Sequence, residues 1–342
     1  MSSFSGMKIG NRDTCDRIFI IAEIGNNHEG DFNLALKMVR MAAEAGADAV
    51  KFQTIVPTQL VSFIDQKRVK QLTRFQFSPD EFLKLSEQAQ ACGIAFISTP
   101  FDLEVVDFLN PIVSAFKIAS GDNDFWPLID RVAQTGKPLI VSMGLGQAEN
   151  ARKLIDFVKE SARKQEIKVP EIALLHCVVS YPAPLEQAGI AGVTQLARVG
   201  VTVGYSDHTI GIRAAELAVA AGARIIEKHF TLDKNYSDFR DHQLSADPRE
   251  LTTMVKSIRL VEKMMGKTEI GAQACEATNE KLMRRSIAAK RDINAGETVR
   301  WEDICWLRPR AALKPGEEGS ICGRKLTKSI RLGEAFTLEH IK

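Results

Sequence analysis

The most informative side chains in this sequence are charged and imidazole groups that lie inside short apolar runs. Lys51 and Gln53 belong to AVKFQT, Lys117 belongs to AFKIAS, and Glu227 and His229 belong to IIEKHF. Burying such charges is costly unless they are paired or used in chemistry. The end of a strand explains a serine or a glycine, but it does not easily explain a lysine or a glutamate inside these runs.

Alternation along an extended strand decides which of these groups point the same way, because residues two apart share a face. The sequence holds three such pairs: Lys51 with Gln53, Ser206 with His208, and Glu227 with His229. If those faces point inward, one cavity gathers six ionisable groups: Glu23, Lys51, Lys117, His208, Glu227 and His229.

Two kinds of ligand would suit such a cavity. His208 and His229, on neighbouring strands at the same depth, favour a metal pair, although a lone barrel histidine is more often a packed, hydrogen-bonded one. Imidazole suits several divalent ions, so spacing does not identify the metal. Two inward lysines with serine hydroxyls supply the point charges and short donors that a phosphate needs.

The elements that would position these groups are eight apolar runs, most of them followed by a segment of helical period or by a turn. The runs cover residues 18–25, 49–54, 94–101, 115–122, 138–145, 172–182, 201–209 and 223–233. Gly46, Gly93 and Gly222 stand where helix C-caps are expected. Eight strand–helix units predict a (β/α)8 TIM barrel, with an open doubly wound sheet as the alternative. All eight runs end in polar residues, where such a barrel builds its chemistry.

Three other residues have plainer interpretations. His176 and Cys177, within LLHCVV, are predicted to belong to the core. His242, in FRDHQLS after the last run, fits a loop histidine or a substrate ligand equally well.

The domain organisation follows from a change in the sequence pattern near residue 265. Residues 1–266 form the predicted barrel, residues 267–282 are polar without a clear period and form a predicted linker, and residues 283–342 hold short β-like pieces and glycine turns. A module of this size is near the lower limit for an independent core, so it is expected to dock against something.

Composition excludes several classes of protein. The 342 residues are 45% hydrophobic and carry a net charge of +2 without basic clusters, so neither disorder nor a nucleic-acid partner is expected. No apolar run approaches the ~20 residues of a membrane span, and the N-terminus lacks a secretory apolar stretch. Six cysteines without CxxC pairing indicate reduced thiols in a cytoplasm.

Several motifs together resemble one family. IAEIGNNHEGD, VKFQT, FISTPF, FKIASGD, VGYSDHT and IIEKHFT, in this order, are similar to those of the sialic acid (nonulosonic acid) synthases, a name that also covers spore-coat polysaccharide relatives. The last sixty residues, with RRSI, INAGE and WLRP, resemble the antifreeze-like (SAF) domain of that family.

The resemblance implies a condensation of phosphoenolpyruvate with the open-chain aldehyde of an N-acetylmannosamine-like sugar, with release of phosphate, for surface polysaccharide biosynthesis. It implies Mn²⁺ or Mg²⁺ on two histidines, and a homodimer whose swapped SAF domain supplies an arginine to the neighbouring subunit. Matched residue by residue, its roles fall on the following positions: metal on His208 and His229; phosphoenolpyruvate on Lys51, Thr99, Lys117, Ser120 and Ser142; catalytic carboxylates on Glu23 and Glu227; sugar on Gln53, Tyr181, Asp241 and Arg308.

Departures from the family pattern concern the sugar. Val179 stands where many members carry asparagine or serine, residues 54–77 lack the tyrosine-rich sugar loop, and DKNYSDFRDHQLS replaces a proline–glycine-rich stretch. The reaction type is therefore predicted more firmly than the acceptor.

Three hypotheses follow. The first is the metal-dependent synthase; the second is the same chemistry on another aldehyde, such as a diamino-dideoxy sugar, a phosphorylated sugar or a 3-deoxy-octulosonate precursor. An additional basic cluster would favour a phosphorylated acceptor, and none stands out in the sequence. The third, a carbohydrate- or ice-binding protein without catalysis, leaves the polar strand ends unexplained.

Overall fold

The computed structural model describes residues 6–239, 241–266 and 270–341. The chain divides into two compact units, residues 1–266 and 267–342. The predicted linker (267–282) and the predicted small domain (283–342) both fall in the second unit. Residues 1–5 of the predicted barrel domain, residues 267–269 of the predicted linker and residue 342 of the small domain lie outside the described residues.

The first unit contains a closed barrel of eight parallel strands, which confirms the predicted TIM barrel over the open sheet. The strands are β3 (Phe19–Gly25), β4 (Ala49–Thr54), β5 (Ala95–Pro100), β6 (Ala115–Ile118), β7 (Leu139–Ser142), β8 (Ile172–Cys177), β9 (Thr202–Asp207) and β10 (Ile225–His229). Each pairs with its neighbour in sequence, and β10 closes the circle on β3. Every one of these eight barrel strands lies within one of the eight predicted apolar runs.

Helices connect the strands and cover the outside of the barrel. They are α1 (Phe32–Glu44), α2 (Pro57–Leu60), α3 (Gln66–Phe75), α4 (Pro79–Ala91), α5 (Val105–Leu109), α6 (Trp126–Ala133), α7 (Ala148–Lys164), α8 (Ala191–Leu196), α9 (Arg213–Ala220), α10 (Asp241–Leu244) and α11 (Pro248–Met265). Within the described residues, no helix is both long and apolar enough to cross a membrane.

Local sequence explains where the helices begin and end. The side chain of Asp31 accepts from Leu34 N at the start of α1, and Ser78 forms a capping box with Glu81 at the start of α4. Each such cap stabilises its helix by about 1 kcal/mol. Gly46 has a φ of +93°, a conformation that favours glycine, so the chain can turn back toward β4.

Along its axis the barrel interior changes from apolar to polar. Near the N-terminal ends of the strands the inward side chains pack in one apolar cluster that includes Phe19, Ile21, Ile97, Ile140 and Ile225. A hairpin of β1 (Lys8–Ile9) and β2 (Arg12–Asp13), absent from the predicted elements, adds Met7 and Ile9 to this cluster. Within the barrel interior, charged side chains are therefore found at the other end.

The second unit has its own small core. Helix α12 (Ala277–Met283) precedes β11 (Ser286–Ala289), which pairs antiparallel with β12 (Ile304–Leu307). Buried apolar side chains from the length of the unit pack together, among them Ile287, Val299, Leu326 and Phe336. The predicted pattern of short β-like pieces and turns is confirmed.

Candidate active site

A polar cavity lies at the C-terminal ends of the barrel strands, where the sequence predicted it. Eleven of the thirteen predicted site residues line it: Glu23, Lys51, Gln53, Thr99, Lys117, Ser120, Ser142, Tyr181, His208, Glu227 and His229. Phe101, Ala119, Cys177 and Ser206 complete the lining. Each of the eight strands, or the residues that directly follow it, contributes a side chain.

Strand register brings the charged groups together. In the parallel pairing, His229 lies beside Glu23, Glu23 beside Lys51, and Glu227 beside Ser206. Their intervening neighbours, such as Phe52 and Ile226, point outward into the apolar layer beneath the helices. The predicted two-residue alternation is therefore confirmed for β4 and β10.

Lys51 is the centre of the network. Its Nζ lies 2.9 Å from Glu23 Oε2 and 3.7 Å from Glu227 Oε2, and it donates to Thr99 Oγ1 at 3.2 Å. Gln53 Nε2 donates to the other oxygen of Glu23 at 3.0 Å. All of these side chains except Gln53 are buried, so the charges interact with little screening from water.

The two carboxylates have different environments. Burial raises the pKa of Glu23 by more than Lys51 lowers it. Burial also acts on Glu227, but Lys117 and Lys51, followed by the hydroxyl of Ser206, bring the pKa of Glu227 below its ordinary value. Ser206 Oγ donates to Glu227 Oε1 at 2.9 Å. Glu227 is thus the group held as a carboxylate, and Glu23 is the one that takes a proton more readily.

Lys117 differs from Lys51 because it has no carboxylate within ion-pair distance among the described residues. Its Nζ donates to Ser142 Oγ at 2.7 Å and to the carbonyl of Ile118 at 2.8 Å. The side chain is buried, and burial lowers the pKa of its amine. A cation in this position is suited to an anionic ligand.

The loop after β7 is tied to the loop after β6. Asn123 Nδ2 donates to the carbonyls of Ser142, at 3.2 Å, and Gly144, at 2.8 Å. Ser120 Oγ accepts from Gly144 N at 3.1 Å. Sequence reasoning missed Asn123, because nothing in the sequence shows that its amide reaches two carbonyls of another loop.

The two histidines lie side by side, with ring centroids 5.4 Å apart. His208 Nδ1 is 2.7 Å from the carbonyl of Val178, and Tyr181 packs against the His208 ring at 4.2 Å. A backbone carbonyl at Nδ1 favours the tautomer that leaves Nε2 with a lone pair, as metal-binding histidines require. Among the described residues, no group of three or more His, Cys, Asp or Glu side chains is arranged to hold a metal. The pair therefore fits an ion whose remaining ligands come from substrate and water.

Cys177 has a position that the sequence predicted only in part. It is buried, as predicted for a core residue, and it also lines the cavity, with its Sγ 3.7 Å from His208 Nδ1. Burial raises the pKa of this thiol, but the opposing effects of His208 and then of Ser120 are larger. The pKa of Cys177 therefore lies below its ordinary value. Alternation was a usable signal, since Cys177 and the half-buried His176 are adjacent in β8 and must face opposite ways.

Three residues lie apart from the cavity lining. Asp241 is a buried residue at the start of α10. His242 is also buried, with its Nδ1 2.7 Å from Thr231 Oγ1 and its Nε2 3.2 Å from Glu29 Oε1, so it is part of a hydrogen-bonded loop. Arg308 is exposed in the second unit and makes no ion pair among the described residues.

Comparisons with known proteins find relatives over nearly the whole chain. The family model described as the NeuB family matches residues 38–270, and the SAF domain model matches residues 284–342. The chain is 37% identical to an N,N'-diacetyllegionaminic acid synthase of Legionella pneumophila, over 97% of this chain and 96% of the relative. It is 34% identical to the N-acetylneuraminate-9-phosphate synthase of Mus musculus, over 86% and 83%. A crystal structure of an N-acetylneuraminic acid synthetase from Leptospira borgpetersenii, in complex with citrate, superimposes with a TM-score of 0.75 at 34% identity, over 81% of this chain and 95% of that chain.

Proposed function

The chain belongs to the NeuB family of nonulosonic acid synthases, and from this premise we propose that it condenses phosphoenolpyruvate with an N-acetylmannosamine-like aldose. The products are a sialic-type nonulosonic acid and inorganic phosphate. The observation that carries the proposal is the buried cluster of Lys51, Lys117, Thr99 and Ser142 beside two histidines.

Phosphoenolpyruvate fits the cationic part of the cavity. Its phosphate and carboxylate carry several negative charges, and Lys51 and Lys117 would neutralise them in a site from which water is largely excluded. Ser142 already lies against the Lys117 amine, and Thr99 against the Lys51 amine. Ser120 would assist phosphate binding indirectly, because its hydroxyl accepts a hydrogen bond from Gly144 N and so holds the loop after β7 in place.

The condensation forms a carbon–carbon bond and releases phosphate. C3 of phosphoenolpyruvate adds to the aldehyde carbon of the sugar, whose oxygen takes a proton, and water adds to C2. The C2–O bond to phosphate then breaks, and a proton from the water is lost to a base. Glu23 and Glu227 are the carboxylates in reach of this chemistry, one as the base and the other as a partner for a sugar hydroxyl. Gln53 and Tyr181 would orient the sugar.

His208 and His229 would hold a divalent cation, Mn²⁺ or Mg²⁺. When bound there, such an ion polarises the aldehyde oxygen. The hydrogen bond of His208 to Val178 and the packing of Tyr181 orient the imidazole for that purpose. The side-by-side rings of the two histidines support this assignment, and oxygen atoms of the substrate and of water would complete the coordination of either ion.

A panel of aldehydes tests the reaction. Purified protein is incubated with phosphoenolpyruvate, Mn²⁺ and a series of N-acetylated hexosamines, and phosphate is measured. We expect release that depends on both the sugar and the metal. Release without any sugar, or no release with any aldehyde, would overturn the proposal. Release only with a different aldehyde would favour the second hypothesis, in which the same condensation uses a diamino-dideoxy or phosphorylated sugar.

We further propose a homodimer in which the SAF domain of one subunit brings Arg308 to the sugar of the other. The mouth of the barrel carries strongly exposed apolar side chains on separate loops, including Phe63, Ile64, Leu145 and Ile210. Such a rim is typical of a surface that is covered in the working assembly. Asp241, buried on the loop side, would complete the sugar contacts.

Mixing two variants impaired at different substrates tests the exchange of Arg308, at a sugar concentration where Arg308→Ala turns over slowly. Arg308→Ala should raise the KM for the sugar and leave that for phosphoenolpyruvate unchanged, whereas the exposed Arg324→Ala in the same unit should change neither. Lys117→Met removes an amine that we propose binds phosphoenolpyruvate, so the two variants are defective in different parts of the site. Dissociated and reassociated mixtures of Arg308→Ala and Lys117→Met should recover activity, because a mixed dimer would contain one site with both side chains. Absence of recovery in demonstrated heterodimers would contradict an arginine supplied in trans.

A cytoplasmic location remains our proposal. Phosphoenolpyruvate is an intracellular metabolite, and none of the six cysteines forms a disulfide in the described part of the chain. Activity that persists in the reduced cytosolic fraction, and is absent from the periplasmic or secreted fraction, is the expected result.

A further inference from the structure

The loop after β10 closes on itself at the edge of the cavity. We call it the β10 loop: it leaves the barrel after His229, contains the one-turn helix α10 (Asp241–Leu244) and returns beside the same strand. Ala246 N donates to the carbonyl of His229 at 2.7 Å, and Thr231 N donates to the carbonyl of Ala246 at 3.1 Å. Because His229 lines the cavity, α10 is carried by a loop whose two ends meet at the cavity rim.

The loop after β3, which we call the β3 loop (residues 26–31), holds the β10 loop at two places. At the first, Asn27 Nδ2 donates to the carbonyl of Phe230 at 2.9 Å and to Ser245 Oγ at 3.0 Å. Ser245 Oγ in turn donates to the carbonyl of Asp241 at 2.5 Å. Asn27 therefore supports the end of α10, and Ser245 connects that end to the first residue of the helix.

At the second place, the carboxylate of Glu29 holds His242. Glu29 Oε1 lies 3.2 Å from His242 Nε2 and also accepts from Ser237 Oγ. The other ring nitrogen, Nδ1, is 2.7 Å from Thr231 Oγ1, whose hydrogen is donated to the carbonyl of Asp233 at 3.0 Å. Since a hydroxyl has one hydrogen and a carboxylate oxygen only accepts, both nitrogens of this ring are donors. Glu29 is the acceptor that the arrangement requires.

The backbone of the β3 loop is fixed where the Glu29 side chain leaves it. Glu29 has a φ of +46°, a region that is uncommon for residues other than glycine. Gly30 follows with a φ of +88°, and a Cβ there would lie 2.0 Å from the carbonyl oxygen of Arg74, in the last turn of α3. A side chain persists in a strained conformation only where its surroundings hold it there, and such positions cluster at functional sites. The geometry therefore singles out the carboxylate of Glu29.

The contacts of the β3 loop lie on the sugar side of the site. Asn26 Nδ2 donates to Oε1 of Gln53, which we propose orients the sugar, at 2.9 Å. In the described part of the chain, no hydrogen bond joins Asn27 or Glu29 to any of the five residues proposed to bind phosphoenolpyruvate. A change at Glu29 should therefore affect one substrate more than the other.

Resting on the proposed function, we propose that Glu29 is a positioning residue for the acceptor sugar. Through His242 it holds α10, and so fixes the neighbouring Asp241 where its side chain would contact the sugar. A contact that is already held in place binds more tightly, because less conformational freedom is lost on binding. Glu29 does not line the cavity, so it acts through α10 and not by touching the substrates.

A split between the two KM values tests this role, with the acceptor that gives turnover in the aldehyde panel. Glu29→Ala should raise the KM for the sugar about tenfold, the equivalent of one charge-assisted hydrogen bond, and leave kcat and the KM for phosphoenolpyruvate within about twofold. Glu29→Gln keeps an oxygen that accepts from Ser237 and His242, so most of the loss should be recovered. Asp31→Ala is the matched control: it removes an exposed carboxylate of the same loop, which caps α1 at Leu34 N, and should change neither KM.

A double-mutant cycle shows whether Glu29 acts through Asp241. Asp241→Ala alone should raise the KM for the sugar. Adding Glu29→Ala to it should raise that KM by less than about twofold more, because the residue that Glu29 positions is already gone. Independent effects that multiply would mean that Glu29 reaches the sugar by another route, and they would overturn the inference.

A second variant keeps the test decisive if Glu29→Ala does not fold. His242→Phe keeps a ring beside Tyr236 and Phe239, whose centroids lie 5.3 and 6.1 Å from that of His242, and it removes both donors. It should reproduce the rise in the KM for the sugar. An unchanged KM for the sugar in folded His242→Phe, or equal rises in both KM values, would overturn the inference and leave the condensation in place. Absence of turnover by the wild type with every aldehyde would overturn the proposed function and the inference with it.

Discussion

Lysines are buried on both faces of the barrel wall, and the two faces treat the charge differently. On the outer face, Lys228 is fully buried and donates to Asp207 Oδ2 at 3.0 Å and to the carbonyl of Thr209. Asp207 Oδ1 in turn accepts from the backbone N–H and the hydroxyl of Thr209, both at 2.8 Å. On the inner face, Lys117 is buried as deeply, but among the described residues it donates only to a serine hydroxyl and a carbonyl, with Glu227 near enough to interact electrostatically but not within ion-pair distance.

The difference separates structural charge from charge kept for a ligand. A buried cation with a complete set of partners stabilises the fold, and its removal leaves an uncompensated anion. A buried cation without a counter-ion costs stability, and the cost is recovered only when an anion binds. The sequence places Lys117 and Lys228 in similar apolar runs, so local context alone does not distinguish them.

The largest expected effect is the loss of activity in Lys117→Met. Removing the unpaired cation should lower kcat/KM by about 100- to 1,000-fold, because it takes away a charge aimed at the phosphate. Urea unfolding without substrate should show little change in stability, since the cost of burying the charge is removed while Glu227 loses a cation that favours its carboxylate. Phosphoenolpyruvate should raise the Tm of the wild type and not that of the variant. A clear loss of stability would mean that Lys117 is structural after all.

The same substitution on the outer face, Lys228→Met, should have the opposite profile. It leaves Asp207 buried without its cation, and we expect the free energy of unfolding to fall by about 3–5 kcal/mol. Because Lys228 does not line the cavity, the kcat/KM of the fraction that remains folded should change little at low temperature. Urea denaturation and activity per folded molecule are the two measurements, with Lys117→Met as the matched control. Loss of activity without loss of stability would abolish the distinction between the faces.

His28 extends the comparison to a third kind of buried group, a base that the fold keeps neutral. Its ring stacks on Phe77 with centroids 4.2 Å apart, and its Nδ1 accepts from Gly30 N. Burial lowers the pKa of His28 from 6.5 to about 3. Since the unfolded chain binds the proton more readily, stability should fall as the pH drops below 6.5, by about 2 kcal/mol between pH 7 and pH 5.

Comparison with His28→Gln isolates this contribution. The variant is expected to be less stable at neutral pH, but its stability should vary less between pH 7 and pH 5, because one titrating group is missing. The quantity to compare is the change in the free energy of unfolding over that interval. Identical changes in the two proteins would show that His28 is not the source of the acid sensitivity.

Much of the barrel and its site could be predicted because both follow from patterns that repeat over short stretches of sequence. Strand–helix alternation predicted the eight strands, and two-residue alternation predicted that Lys51, Glu227 and His229 face inward. These patterns are local and repeat eight times, so a wrong boundary at a single strand does not change the predicted barrel. The same rule, applied to β8, would have shown that the buried Cys177 faces the cavity.

Contacts between distant loops could not be predicted in this way. The pairing of Lys228 with Asp207 depends on the register between β9 and β10, and the N-terminal hairpin depends on which end of the barrel it closes. A concave surface lined by Glu29, Arg68 and Phe239 combines helix α3 with the loops after β3 and β10, whose relative positions are fixed only in the folded barrel. Sequence spacing contains no direct measure of such distances.

Asn123 gives the smallest of the expected effects and tests whether the inner face also needs neutral positioning groups. Its amide joins the loop after β6 to the carbonyls of Ser142 and Gly144, so it sets where the Ser142 hydroxyl meets the Lys117 amine. Asn123→Ala should raise the KM for phosphoenolpyruvate about fivefold, the equivalent of one hydrogen bond, with little change in kcat or in the KM for the sugar. Asn123→Asp should be more severe, because a carboxylate cannot donate to those carbonyls and is repelled by them. If both variants instead raised the two KM values equally, Asn123 would support the barrel mouth as a whole, and the precise placement of phosphate on the inner face would rest on the charged residues alone.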